Sequence, residues 1–283
     1  MYRIPRRAAR LASALVIALA AIAFADTPGS LAQDPVAVPQ PDATIAPGEV
    51  RDPDQQSRIY FKIPVANEMV RLQTHFTVPP KPPRVGTMFL WPGLEPRPGG
   101  RNYDPIGLGV LQPVLTWGQS CAPPSQPPAY STWWIAAMYV NVGNDPNYSG
   151  CRSGRAMSVK VGETLDIDMV LNRTTGVWKQ TVTGKSGSVD FSINMRNQAQ
   201  NMALFAIEPW NNARIPGPLD FSDTTITFRD RADDSCLRPE LTYQGPGGRI
   251  STPTVDGTRC HIDSISVTSP TQRVEPLAEA GAH

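Results

Sequence analysis

Histidine is scarce in this chain of 283 residues: only His75, His261 and His283 are present. A serine triad or a zinc site would have to use one of them, and each is poorly placed. His75 falls in a strand-like stretch, His261 follows Cys260, and His283 is the last residue. The sequence also lacks a Gly-x-Ser-x-Gly elbow, a His-Glu-x-x-His pair, a phosphate-cradling glycine loop and any Cys-x-x-Cys. No metal and no cofactor is therefore expected. An excess of charge is missing as well. Lys and Arg total 26 against 25 Asp and Glu, for a net charge of +1, and the cations are scattered among acids, which argues against a nucleic-acid partner. Helical periodicity is hard to find, and 30 prolines and 22 glycines interrupt the chain every few residues. That punctuation leaves room mainly for short strands and turns.

A long apolar run is absent too. Arg3, Arg6, Arg7 and Arg10 precede an uncharged stretch from Leu11 to Ala25, about fifteen residues where a spanning helix needs roughly 20. This order reads as a signal peptide over residues 1–25, with cleavage as late as residue 32, and no stable membrane insertion is expected. Residues 26–53 are rich in Pro, Ala, Asp and Val and read as a leader, linker or pro-segment. A single domain is expected over 54–270, followed by a flexible tail over 271–283. The protein is expected to be secreted and monomeric. Four cysteines, Cys121, Cys151, Cys236 and Cys260, fall in the exported part, and an even count in an oxidising compartment reads as disulfides. Proximity favours Cys121–Cys151 and Cys236–Cys260, although four cysteines allow three pairings.

What is present is strand pattern. Candidate strands are Arg58–Ile63, Met69–Val78, Thr87–Trp91, Leu108–Trp117, Thr132–Asn141, Met157–Val161, Thr164–Asn172, Val177–Thr183, Ser188–Asn194, Met202–Glu208, Thr224–Phe228 and Arg259–Val267. This predicts an all-β, two-sheet antiparallel β-sandwich. In Thr164–Asn172, Leu165, Ile167, Met169 and Leu171 share one face while Asp166 and Asp168 take the other. In Leu108–Trp117, Leu111, Leu115 and Trp117 line one side, and Gln112, Val114 and Thr116 line the other. Thr132–Asn141 is apolar on both sides, with Trp133, Ile135 and Tyr139 opposite Trp134, Met138 and Val140, as expected of a central strand covered on both faces.

Several segments stand out in order: Trp91-Pro92-Gly93-Leu94-Glu95, Leu111-Gln112 with Trp117 five residues later, Tyr130 to Trp133, Gly162-Glu163 leading into Leu165 to Met169, and Ala203 to Glu208. This order resembles the glutamic peptidases (eqolisins), secreted enzymes on a concanavalin A-like jelly-roll sandwich, over about Gly86 to Phe228. The resemblance implies a catalytic pair, Gln112 and Glu208, with Trp91, Glu95, Trp117 and Trp133 shaping the substrate cleft. Glu208 would take a proton from water and the Gln112 amide would steady the oxyanion, both groups projecting from neighbouring strands around one water. The partner would be a polypeptide. Pro113 and Pro209 directly follow the two residues, and Ser131 and Ile135 stand where the family usually carries acids. A second reading is a glycan-binding or glycan-cleaving sandwich, in which Trp178 and Trp210 would stack on sugar rings and Glu95 and Glu208 would be the carboxylate pair.

Overall fold

The computed structural model describes residues 56–82, 86–141, 143, 145–211, 213–215 and 217–270. The export signal, the leader and the C-terminal tail read from the sequence lie outside them. The chain runs through β1 (Ser57–Lys62), β2 (Met69–Thr77), β3 (Met88–Glu95), β4 (Gly109–Trp117), β5 (Trp133–Asn141), β6 (Gly150–Ser153), β7 (Met157–Val159) and β8 (Thr164–Asn172). It continues through β9 (Val177–Gly184), β10 (Gly187–Asn194), β11 (Met202–Pro209), β12 (Leu219–Phe228), a short helix α1 (Asp233–Leu237), β13 (Glu240–Gln244), β14 (Gly248–Ile250), β15 (Thr254–Asp256) and β16 (Arg259–Val267).

The strands form two eight-stranded antiparallel sheets packed face to face. The first runs β13-β1-β11-β3-β4-β5-β6, with β7 also on β5. The second runs β10-β9-β8-β2-β12-β16-β14, with β15 also on β16. Alternation decides what each face does, because successive side chains of a strand point to opposite sides. In β8, Leu165, Ile167, Met169 and Leu171 enter the core and Asp166 and Asp168 face outward. Trp178, Gln180 and Val182 of β9 do the same, and the Gln180 amide donates across the sandwich to the Met138 carbonyl (2.8 Å). Phe205 of the first sheet meets Phe221 of the second with ring centroids 5.0 Å apart, and Phe221 meets Phe76 at 5.4 Å. Such pairs add about 0.5–1.5 kcal/mol each beyond the area they bury.

The first sheet carries a second apolar cluster on its outer face, away from the other sheet. Trp91, Val114, Trp134, Ala136, Met138, Leu204 and Ala206 form it, together with Ala122. Ala122 comes from the segment after β4, which the Cys121–Cys151 disulfide holds against β6. The Trp134 indole also donates to the Gly118 carbonyl at the start of that segment (3.0 Å). Chain therefore covers part of the outer face of β5, which accounts for its two apolar sides. The second disulfide, Cys236–Cys260, ties α1 to β16. Both pairings are the ones that proximity favoured. Two bonds of this kind suit an oxidising, extracellular setting, and among the described residues no helix is long and apolar enough to cross a membrane.

Candidate functional site

The outer face of the first sheet can be laid out from its register. Even-numbered residues of β1, β4, β5 and β11 and odd-numbered residues of β3 point there, because the other parity belongs to the inter-sheet core. Gln112 and Glu208 thus share a face, as do Trp91 and Glu95. Trp117 and Trp133 do not. Both are buried in the inter-sheet core with ring centroids 5.6 Å apart. Their expected place in a substrate cleft is corrected to a structural one, for the physical reason that Trp117 alternates in phase with Leu111 and Leu115, and Trp133 with Ile135 and Tyr139.

The expected pairing of Gln112 with Glu208 around one water is also corrected. Strand β3 lies between β4 and β11. Leu90 opposes Leu115 and Leu94 opposes Leu111, so Gly93 lies opposite Gln112. Across β3, Gly93 opposes Leu204, and Glu208 opposes Phe89. The β11 residue level with Gln112 is thus Leu204, and Glu208 lies four positions further along. Two strand spacings and four residue rises place the Gln112 and Glu208 Cα atoms roughly 16 Å apart. Glu208 is moreover engaged: Arg58 Nη2 lies 3.2 Å from its Oε2, and the Trp210 indole N–H donates to its Oε1 (3.2 Å). Arg58 in turn stacks over the Trp91 ring, 5.4 Å from its centroid. The sequence reading passed over Arg58, whose signal was available in the Arg58, Tyr60, Lys62 alternation of β1.

The carboxylate nearest to Gln112 in the sheet is Glu95. It stands on the adjacent strand β3, two positions from Gly93, where it opposes Met202 on one side and Val110 on the other. Glu95 and Gln112 are diagonal neighbours, with Cα atoms about 7–8 Å apart and within reach of long side chains. Gly93 sits between Leu204 and Gln112 without a side chain. A Cβ there would come within 2.9 Å of Val110 Cγ1 and 3.1 Å of the Trp91 ring, so that methyl and that ring floor the space. Pro92 and Pro113 face each other in the same stretch, and the β3–β4 pairing is interrupted there because neither has an N–H to give.

Both polar groups are nearly buried. Glu95 is 8% exposed and Gln112 9%, and among the described residues neither side chain makes a hydrogen bond; their polar atoms still reach solvent, whereas Thr116 Oγ1 and Arg58 Nε on the same face are enclosed without a partner. The two side chains thus offer an amide and a carboxyl side by side, largely covered but open to water at their tips. Burial pushes the Glu95 carboxyl up to about 7, while the Arg58 guanidinium pulls it the other way. Two other carboxylates with as little exposed surface differ. Glu163, below the turn after β7, accepts from the Ser186 N–H and hydroxyl (both 2.6 Å) and from the Lys160 N–H (3.0 Å). Glu68 accepts from Arg101 (2.6 Å) and Arg229 (3.4 Å).

The glycan reading loses its supports. Trp178 is completely buried in the core, and Trp210 is half-buried, occupied with Glu208 and packed edge-on against Phe89. Glu95 lies six positions along β3 from Phe89, the residue opposite Glu208, which separates the two carboxylate-bearing Cα atoms by roughly 20 Å, too far for the about 5–9.5 Å that glycosidase carboxyls require. Among the described residues no cluster of three or more His, Cys, Asp or Glu side chains is suited to a metal ion. No family model matches the chain, and no curated protein matches it.

Proposed function

We propose that the protein is a secreted hydrolase of peptide bonds, an endopeptidase of the glutamic type, which works with the Gln112 amide and a carboxylate on the outer face of the first sheet. The observation that carries this reading is the Gln112 amide itself, nearly buried, without a hydrogen-bonding partner among the described residues, and next to an equally unpartnered carboxyl on the adjacent strand. An amide N–H held in a low-dielectric place is suited to a developing oxyanion, because it is oriented before the charge forms. A carboxylate within one water of it is suited to take the proton of an attacking water. The resemblance to the glutamic peptidases supports the part given to the Gln112 amide, while the glutamate it implies, Glu208, is held by Arg58 and the Trp210 indole. The two disulfides support action in an oxidising compartment.

The test is incubation of the exported protein with denatured protein across pH 3 to 9, with fragments read by mass spectrometry. Cleavage within chains is the expected result. Absence of new termini at every pH, together with binding of an oligosaccharide, would replace this reading with a glycan-binding one.

A further inference from the structure

We infer that the carboxylate partner of Gln112 is Glu95 of the adjacent strand, and that Glu208 is the ion-pair partner of Arg58 and stands outside the reaction. This inference rests on the hydrolase reading above. The sheet register carries it. Gln112 and Glu95 sit on neighbouring strands as diagonal neighbours, whereas β3 and four residue positions separate Gln112 from Glu208. Hydrogen bonding points the same way. The Glu208 carboxylate holds Arg58 and the Trp210 indole, so using it as a base would break an ion pair. Glu95 has no hydrogen bond to give up among the described residues. At the level of Gln112 the facing residue of β11 is Leu204, which has no titratable group.

The charged groups that face Glu95 from the strands around it are few. Arg58 and Lys62 come from β1, Arg97 from just beyond β3, Glu208 from β11 and Glu240 from β13, where Glu240 holds both Lys62 (3.1 Å) and Arg97 (3.2 Å). On this face β4 and β5 contribute Val110, Gln112, Val114, Thr116, Trp134, Ala136, Met138 and Val140, all uncharged. Burial is therefore the dominant influence on Glu95, and Arg58 is the one opposing charge felt there.

The reaction balances with water as the only co-reactant. Glu95, as carboxylate, takes one proton from a water held between it and Gln112. The water oxygen bonds to the peptide carbonyl carbon, the C=O π pair moves onto oxygen, and the resulting oxyanion accepts a hydrogen bond from the Gln112 amide N–H. The C–N bond then breaks, and the proton on Glu95 passes to the departing nitrogen. The products are a carboxyl terminus and an amine terminus, with Glu95 restored.

The experiment compares parent, Glu95→Gln, Glu95→Asp and Glu208→Gln on one cleaved peptide, with near-ultraviolet circular dichroism to confirm native packing of each. Glu95→Gln is expected to lose about 10²–10⁴-fold in kcat/KM, the usual range for removal of a general base. Glu95→Asp should retain part of the activity, and Glu208→Gln should stay within about tenfold of the parent. The parent's kcat/KM should rise through about pH 7 and level off above it, since the base acts only when ionised. A folded Glu208→Gln without activity beside an active Glu95→Gln would overturn the assignment and leave the hydrolase reading standing. A parent that cleaves nothing at any pH would overturn both.

Discussion

Glu95 and Glu163 expose about as little surface, 8% and 4%, but Glu95 lies deep among protein atoms and Glu163 near the surface beside a turn, and the sandwich treats them in opposite ways. Around Glu163 burial pushes the carboxyl up, but the Ser186 hydroxyl and the backbone N–H groups of Lys160 and Ser186 outweigh it and hold the group below its ordinary value. Around Glu95 burial meets no donor, and the carboxyl is pushed up to about 7. Depth and the supply of donors together set the charge state. The first region uses a carboxylate to close a turn, with Gly162 at φ +79° letting the chain fold back. The second leaves polar groups open on a sheet face, a cost that function explains better than stability does.

The comparison can be broken most forcefully through activity. Gln112→Ala removes the proposed oxyanion donor and is expected to lower kcat on peptide substrate by on the order of a hundredfold or more, equivalent to about 2.7–4 kcal/mol, while urea unfolding shows a fold intact. Gln112→Ala with parental kcat would remove the amide from the site.

The next largest effect is on stability, and its sign is unusual. A carboxyl whose folded pKa lies above its ordinary 4.5 binds its proton more tightly in the folded state. Glu95 therefore costs stability, and the cost grows from about pH 4.5, through pH 7, to a plateau above. Glu95→Gln should stabilise the protein by up to about 3 kcal/mol at pH 8 and by little below pH 5, as read by urea midpoints. Glu163 runs the other way. Its folded pKa is depressed, so its contribution is present above its ordinary value and is lost as pH falls. Glu163→Gln should cost about 1–3 kcal/mol at pH 7, with the difference from the parent shrinking in acid. Equal pH dependence in the two variants would erase the distinction.

The smallest expected change separates the tryptophans. Trp133→Phe should lower stability by roughly 1–3 kcal/mol, as a loss of core packing, and leave KM unchanged, because its ring meets Trp117 inside the sandwich. Trp91→Phe should raise KM, because its ring floors the space beside Gly93.

Much of this architecture was legible in the residues. The alternation of Leu165 to Leu171 reports a half-buried strand, and the double-sided apolar pattern of Trp133 to Val140 reports a covered one. Proximity along the chain favours the cysteine pairs that form, without choosing among the three possible pairings. Face was legible only in part: alternation sets Gln112 opposite Leu111 and Leu115, but β11 is apolar on both sides, and only the register puts Glu208 on the face of Gln112. The same parity already placed Trp117 with Leu111 and Leu115, and the resemblance to a family drew it into a cleft against that pattern. Level along the strand was not legible. Which residue of β11 stands beside Gln112 depends on a strand inserted between β4 and β11 and on β3–β11 pairings between residues more than a hundred positions apart, which no local pattern encodes. The short strands β13 to β15 and the helix around Cys236 were missed because they are brief and largely polar, with no period long enough to register.

The most direct test of the account is a pH titration of the side-chain carboxyl carbons by nuclear magnetic resonance, in protein labelled with carbon-13 glutamate and assigned through Glu95→Gln and Glu163→Gln. The account predicts a Glu95 midpoint at about 7 and a Glu163 midpoint below the ordinary 4.5. A Glu95 resonance that titrates at 4.5 together with the exposed glutamates would contradict it.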